Sequence, residues 1–214
     1  MVEIELPGLQ RLMETCQKHD LFLKTLPPEG TPPAPGELFL GQPFDSGLAA
    51  LYREISAAML GDLQLYSWGS ADGQLAALNE GMRSLGGEPY QSALLFGQIS
   101  MMAYYFATVP PLADAEGIQP VIFIDGYERH QVLPVASSVD AFFTAFSMYL
   151  ERAVTTEEYA VERRIGPHFP TSVPDLIARD RPLADALASG RFKKWMRDDE
   201  ESREWISVIT QAAH

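Results

Sequence analysis

VIFIDGYERHQVLPVASSVDAFFTAF, residues 121–146, decides the fold. Its first four residues are an unbroken apolar run, the pattern of a strand covered on both faces. Asp125-Gly126 then predicts a two-residue hairpin turn, because both residue types tolerate positive φ. Residues 127–135 return as a second strand. Their polarity predicts that one face is solvated or lies under a loop. Pro134 cannot donate to a ladder, so pairing is expected to stop near it. Ser137 followed by Asp140 fits a capping box at the start of a helix. Val139, Phe142, Phe143, Phe146, Tyr149 and Leu150 recur at helical spacing and form one apolar stripe. A helix of that kind has to lie on a sheet.

Working outward from this unit, SALLFGQI and MMAYYFATV read as two further strands, the second ending at Pro110-Pro111. LQLYSW is a shorter strand candidate and ADGQLAALNEGMRSLGG a helix. FDSGLAALYREISAAMLG reads as one helix from its Leu48, Leu51, Tyr52, Ile55 and Met59 spacing, capped by Asp45 or Ser46 and stopped by Gly61. An early helix is expected over residues 9–19. Residues 26–37, LPPEGTPPAPGE, are too rich in proline for helix or central strand. Beyond residue 154 the chain turns polar and then helical. Asp180 with Pro182 marks a helix start and Gly190 a stop, and Trp195, Trp205, Ile206 and Ile209 are expected to dock on the body. The last helix is read from Arg191 onward, an order of charges that opposes its dipole. The fold class is therefore α+β: a central, mostly antiparallel sheet flanked by helices, with a C-terminal helical extension. Residues 1–154 are read as the α+β domain and 155–214 as the extension packed on it.

Charge narrows the function. Of the 29 acidic and 16 basic residues, seventeen acids and six bases fall in residues 1–150, and twelve and ten in the rest. An acidic body repels phosphate backbones, which excludes nucleic acid as the expected partner, and it speeds encounter with a basic one. The single cysteine, Cys16, rules out an internal disulfide and fits a reducing compartment. MVEIELPGLQ has neither the basic nor the apolar region of a signal peptide, and no apolar run approaches membrane-spanning length. A cytoplasmic protein without a membrane partner is expected.

Motifs for chemistry are missing. The sequence contains no HExxH, GxSxG, GxxxxGK[ST] or GxGxxG, and its four histidines are scattered. Glu128 and His130 fall on one face of a strand, a spacing shared by an acid–base couple and a solvated cross-strand pair. No catalytic residue, metal ligand or cofactor is assigned.

The order of elements, with residues 120–125, residues 132–138, and Val139, Phe142, Phe143 and Leu150, resembles the SUKH superfamily (SMI1/KNR4-like) over residues 5–152. In that family two strands lead into a serine-capped helix whose paired phenylalanines pack on the sheet. The resemblance implies a binding role. Bacterial members are immunity proteins that neutralise a cognate toxin; fungal members are regulatory interaction modules. It implies here a non-catalytic antitoxin for a secreted, polymorphic toxin, a nuclease or another toxin acting in the cytosol through a basic cleft. Exposed acids in loops and turns, Glu29, Glu37, Asp72, Asp125 and Glu128, are the candidate contacts. A regulatory module without a toxin is the alternative. Phe142→Ala, which removes the centre of the helical stripe, is expected to cost about 3–5 kcal/mol in denaturant unfolding.

Overall fold

The computed structural model describes residues 4–69, 73–128, 131–166 and 168–212. In chain order the elements are α1 (Pro7–Lys18), β1 (Leu23–Leu26), β2 (Leu38–Phe39), β3 (Gln42–Pro43), α2 (Ser46–Glu54), β4 (Ala57–Leu60), β5 (Leu63–Leu65), α3 (Gln74–Ser84), β6 (Leu94–Ile99), β7 (Tyr104–Thr108), β8 (Val121–Asp125), β9 (Gln131–Ala136), α4 (Val139–Ala153), α5 (Glu157–Glu162), α6 (Pro174–Ile177), α7 (Arg181–Ala188) and α8 (Glu200–Ala212). Seven strands form one sheet in the order β1-β4-β5-β6-β7-β8-β9, every neighbouring pair antiparallel. β2 and β3 form a separate small hairpin. The fold is α+β, as the sequence predicts.

The stripe on α4 is buried as expected: Val139, Phe142, Phe143, Phe146, Tyr149 and Leu150 are all inaccessible to solvent or nearly so. Phe142 meets Phe106 of β7 with ring centroids 4.7 Å apart and Phe96 of β6 at 5.6 Å. Phe106 faces Phe123 of β8 in the ladder. α1 runs beside α4. Gly8 allows the close approach: a Cβ there would sit 2.2 Å from the Asp140 carbonyl oxygen. Thr15 and Ser147 share a buried hydroxyl–hydroxyl hydrogen bond of 2.9 Å across this contact. α3 reaches the sheet through Asn79. Its amide accepts from the Leu95 N–H and donates to the Leu95 carbonyl, both at 2.8 Å. It thus stands in for a neighbouring strand where short β5 has ended.

Four local expectations need correction. The helix begun at Asp45 ends at Glu54, and residues 57–60 form β4. The spacing of Ile55 and Met59 is helical by coincidence. Ala58 and Leu60 are buried while Ala57 and Met59 are half-exposed, which is the period of a strand, and pairing on both sides outweighs the propensity. Gly61, at φ +63°, turns the β4–β5 hairpin. Asp125-Gly126 is not a two-residue turn. β8 and β9 pair as far as Asp125 with Gln131, leaving residues 126–130 as the connection. The Asp125 carboxylate accepts the N–H groups of Tyr127 (2.8 Å) and Glu128 (3.1 Å), so it shapes the loop as an acceptor. Gly126 is needed for space, since a Cβ would lie 2.7 Å from the Ala103 carbonyl oxygen. The cap of α4 is Ser138, which accepts from the Ala141 N–H. Asp140 instead accepts the Gly8 N–H at 2.7 Å. Finally, α8 starts at Glu200, with Asp199 accepting the Ser202 N–H. Residues 191–197 lie outside the helix, so its first turn is acidic and its charge order agrees with the dipole.

The return strand differs most. All six residues of β9 are buried, and its ladder runs past Pro134 to Ala136, with a register shift between Val121 and Ile122. The C-terminal extension is the reason. The Trp205 indole N–H donates to the Pro134 carbonyl at 3.0 Å, and Asp180, the cap of α7, accepts the Ser137 N–H at 2.6 Å. Farther out, Arg191 donates to the Leu112 carbonyl and Trp195 to the Ser92 hydroxyl. The extension also enters the core. Phe169 packs against Phe146, Tyr149, Phe106 and Phe142 with centroids 5.0–6.0 Å apart. Phe169→Ala is therefore expected to cost about 3–5 kcal/mol and to shift a single unfolding transition. Near- and far-ultraviolet circular dichroism should give coincident melting curves. Separate transitions would mean that residues 155–212 fold on their own.

Candidate functional site

The predicted acids divide between the two ends of the sheet. Leu23 pairs with Leu60, Leu63 with Ile99, and Tyr104 with Asp125, so the start of β1, the β4–β5 turn, the β6–β7 turn and the β8–β9 loop share one end. Asp125 and exposed Glu128 lie there. Glu29 and Glu37 lie in the segment that leaves the opposite end, after Leu26. Both are exposed, and Glu37 stabilises its own loop by accepting the Ala34 N–H at 2.9 Å. Asp72 and His130 fall outside the described residues. Of the proposed Glu128–His130 pair, the structure places only Glu128. The acids therefore do not converge on one surface.

A different surface is assembled by the register. Lys24, Met59, Gln64, Gln98, Tyr105, Ile124 and Val132 form one row across the seven strands. Side chains alternate in strands, so this row lies on the face opposite Phe106 and Phe123. Ile124 and Val132 are fully buried. From Tyr105 to Met59 the row is half-buried, and Lys24 is exposed. The middle is a polar ladder: Gln98 donates to Gln64 at 3.0 Å and accepts the Tyr66 hydroxyl at 2.8 Å. Along this row the second face is partly exposed from β1 to β7 and covered at β8 and β9; toward the other end of the sheet Tyr66, Leu95 and Ala107 on the same face are buried. Lys24 is the one ionisable cation in the row.

This open face ends at an open edge. All four residues of β1 are exposed. The Phe22 and Leu26 carbonyls accept from Gly61 (2.7 Å) and Ser56 (3.0 Å), so these alternate residues turn their backbone inward. The N–H and C=O groups of Leu23 and Thr25 then point away from β4 and have no hydrogen-bond partner among the described residues. Residues 21–26 carry the sequence signal of this edge: LFLKTL before a double proline is a short run of strand formers halted by a strand breaker.

The Cys16 thiol is buried in α1, and burial followed by the charge of Asp62 pushes its pKa up to about 11, so it is unreactive. Asp45 caps α2 and accepts the Leu48 and Gln119 N–H groups. Burial outweighs these bonds and pushes its pKa up to about 7. Asp62, in the β4–β5 turn, is buried, and beyond its own backbone N–H neither carboxylate oxygen has a hydrogen-bond partner among the described residues. Burial pushes it up to about 7, its own backbone N–H pulling partly back. His168 lies 3.7 Å from Glu158 at an exposed cleft of about 250 Å³ that Tyr149, Arg152 and Ser172 also line. Among the described residues no three His, Cys, Asp or Glu side chains are placed to hold a metal. No described helix is long and apolar enough to cross a membrane.

Comparison with family models, curated proteins and solved structures returned no match for this chain.

Asp62 gives a pH signature. With a folded pKa near 7 against 3.8 when solvated, the folded chain holds a proton that the unfolded chain has lost. Stability contributed by this group is greatest below pH 4 and declines as pH rises to 7; Asp45 adds to the same slope. Asp62→Asn should raise stability by roughly 2–4 kcal/mol at pH 8. It should leave stability unchanged at pH 4. Thermal melts across that range measure both.

Proposed function

We propose that this chain is a non-catalytic immunity protein of the SUKH type, which binds a cognate protein toxin in the cytoplasm and neutralises it by occupying its working surface. The observation that carries the reading is the uneven covering of the sheet. One edge and its adjoining faces are buried under the C-terminal extension, while the other edge and a partly exposed row of one face remain open. Much of the open region is backbone amide, glutamine, methionine and tyrosine, groups that bind by packing and hydrogen bonding rather than by chemistry. The acidic body supports the same reading. Glu29 and Glu37 at one end and Asp125 and Glu128 at the other flank the sheet with negative charge, which draws in a toxin with a basic cleft, such as a nuclease.

The test is co-expression of the chain with the toxin domain encoded beside it. Restored growth and a stoichiometric complex are expected. A complex with a housekeeping assembly, together with no protection from any adjacent toxin, would favour the regulatory reading instead. Within a protective complex, Glu128→Lys and Glu29→Lys should each lower the association rate roughly threefold at low salt and little at high salt, because rim charges act mainly through steering. Stopped-flow association at two ionic strengths reads this directly.

A further inference from the structure

We propose that β1 is a strand-addition edge, and that it takes an extended segment of the partner reading apolar-x-acid-x-apolar. The inference deepens the binding role proposed above by naming its mode. Leu23 and Thr25 present two N–H and two C=O groups outward at the spacing of a strand, and only another extended backbone satisfies all four together. The far edge cannot serve, because α7 and α8 cover β9 and Trp205 occupies the Pro134 carbonyl.

Phe22, Lys24 and Leu26 alternate along the chain and therefore project to one face, the open one. Phe22 is 61% exposed and Leu26 44% exposed. Lys24 stands between them and forms no ion pair among the described residues. An added strand places its own alternate side chains beside these three. Apolar residues fit next to Phe22 and Leu26, and a carboxylate fits opposite the ammonium group. A second copy of this chain fits poorly. The symmetric pairing that joins Leu23 to Thr25 of the other copy would set Lys24 against Lys24, and like charges directly opposite destabilise a sheet.

A random linear heptapeptide library, displayed and selected on the intact immobilised protein, tests this. Peptides with the pattern apolar-x-Asp/Glu-x-apolar should be enriched. Their affinity should fall roughly tenfold on Thr25→Pro, which deletes an outward N–H that no internal bond uses. On Lys24→Glu the selected centre should change from acid to Lys or Arg. If Thr25→Pro lowers the melting temperature, the Lys24→Glu preference decides alone, since that exchange touches only an exposed side chain. No enrichment, or peptides that bind both variants as they bind the parent, overturns the proposal. So does a parent dimer in sedimentation that Thr25→Pro makes monomeric, which would assign the edge to a second copy. Toxin protection is scored separately: protection retained in both variants sinks the edge and keeps the immunity role, whereas loss of protection in the parent sinks the role itself.

Discussion

The contact of Phe142 with Phe106 holds the molecule together. One ring comes from the helix that follows the last strand, the other from the middle of the sheet, and Phe96, Phe123, Phe146 and Phe169 gather around them. Aromatic rings bury large areas and prefer tilted or edge-on contacts, as these do. The cluster fixes more than α4. Because α1 is laid along α4, and because Phe169 belongs to the extension, the position of this one stripe sets where the first and last portions of the chain come to rest.

The parts of the fold that were legible in the sequence are those whose causes are local. The Phe142–Leu150 stripe shows its own period, the apolar run at residues 121–124 shows double burial, and Asp180 and Gly190 bracket α7 as capping chemistry requires. What was not legible depends on partners distant in sequence. The polar character of residues 127–131 gives no hint that β9 is buried, because the residues that cover it, Asp180 and Trp205 among them, lie 43 to 71 positions from their partners. Ile55 and Met59 mimic a helix until β1 and β5 claim the segment. Asp125 reads as a turn former through φ, but it works through its carboxylate.

The candidate site divides in the same manner. Acidic side chains are conspicuous in a sequence, so Glu29, Glu37, Asp125 and Glu128 are legible there, but their opposite placement follows from strand register, which no single segment encodes. The backbone of Leu23 and Thr25 is invisible by composition. An edge is a property of the sheet as a whole, defined by which strand has no neighbour. Asp62 is not legible in the sequence, because an aspartate after glycine looks like any solvated turn residue; it is the packing of the β4–β5 turn that buries its oxygens and leaves them, among the described residues, no partner beyond its own backbone N–H.

Covering β9 also makes the sheet polar in the sense of a growing chain: it can be lengthened from one end alone. A protein with two free edges could link one strand donor to the next and build a fibre. This one acts as a terminator. Any assembly that grows by strand pairing onto it stops after a single addition, and the indole of Trp205, held on the Pro134 carbonyl, is the cap that blocks the other direction. That asymmetry leaves the sheet saturable by one added strand rather than open to end-to-end growth.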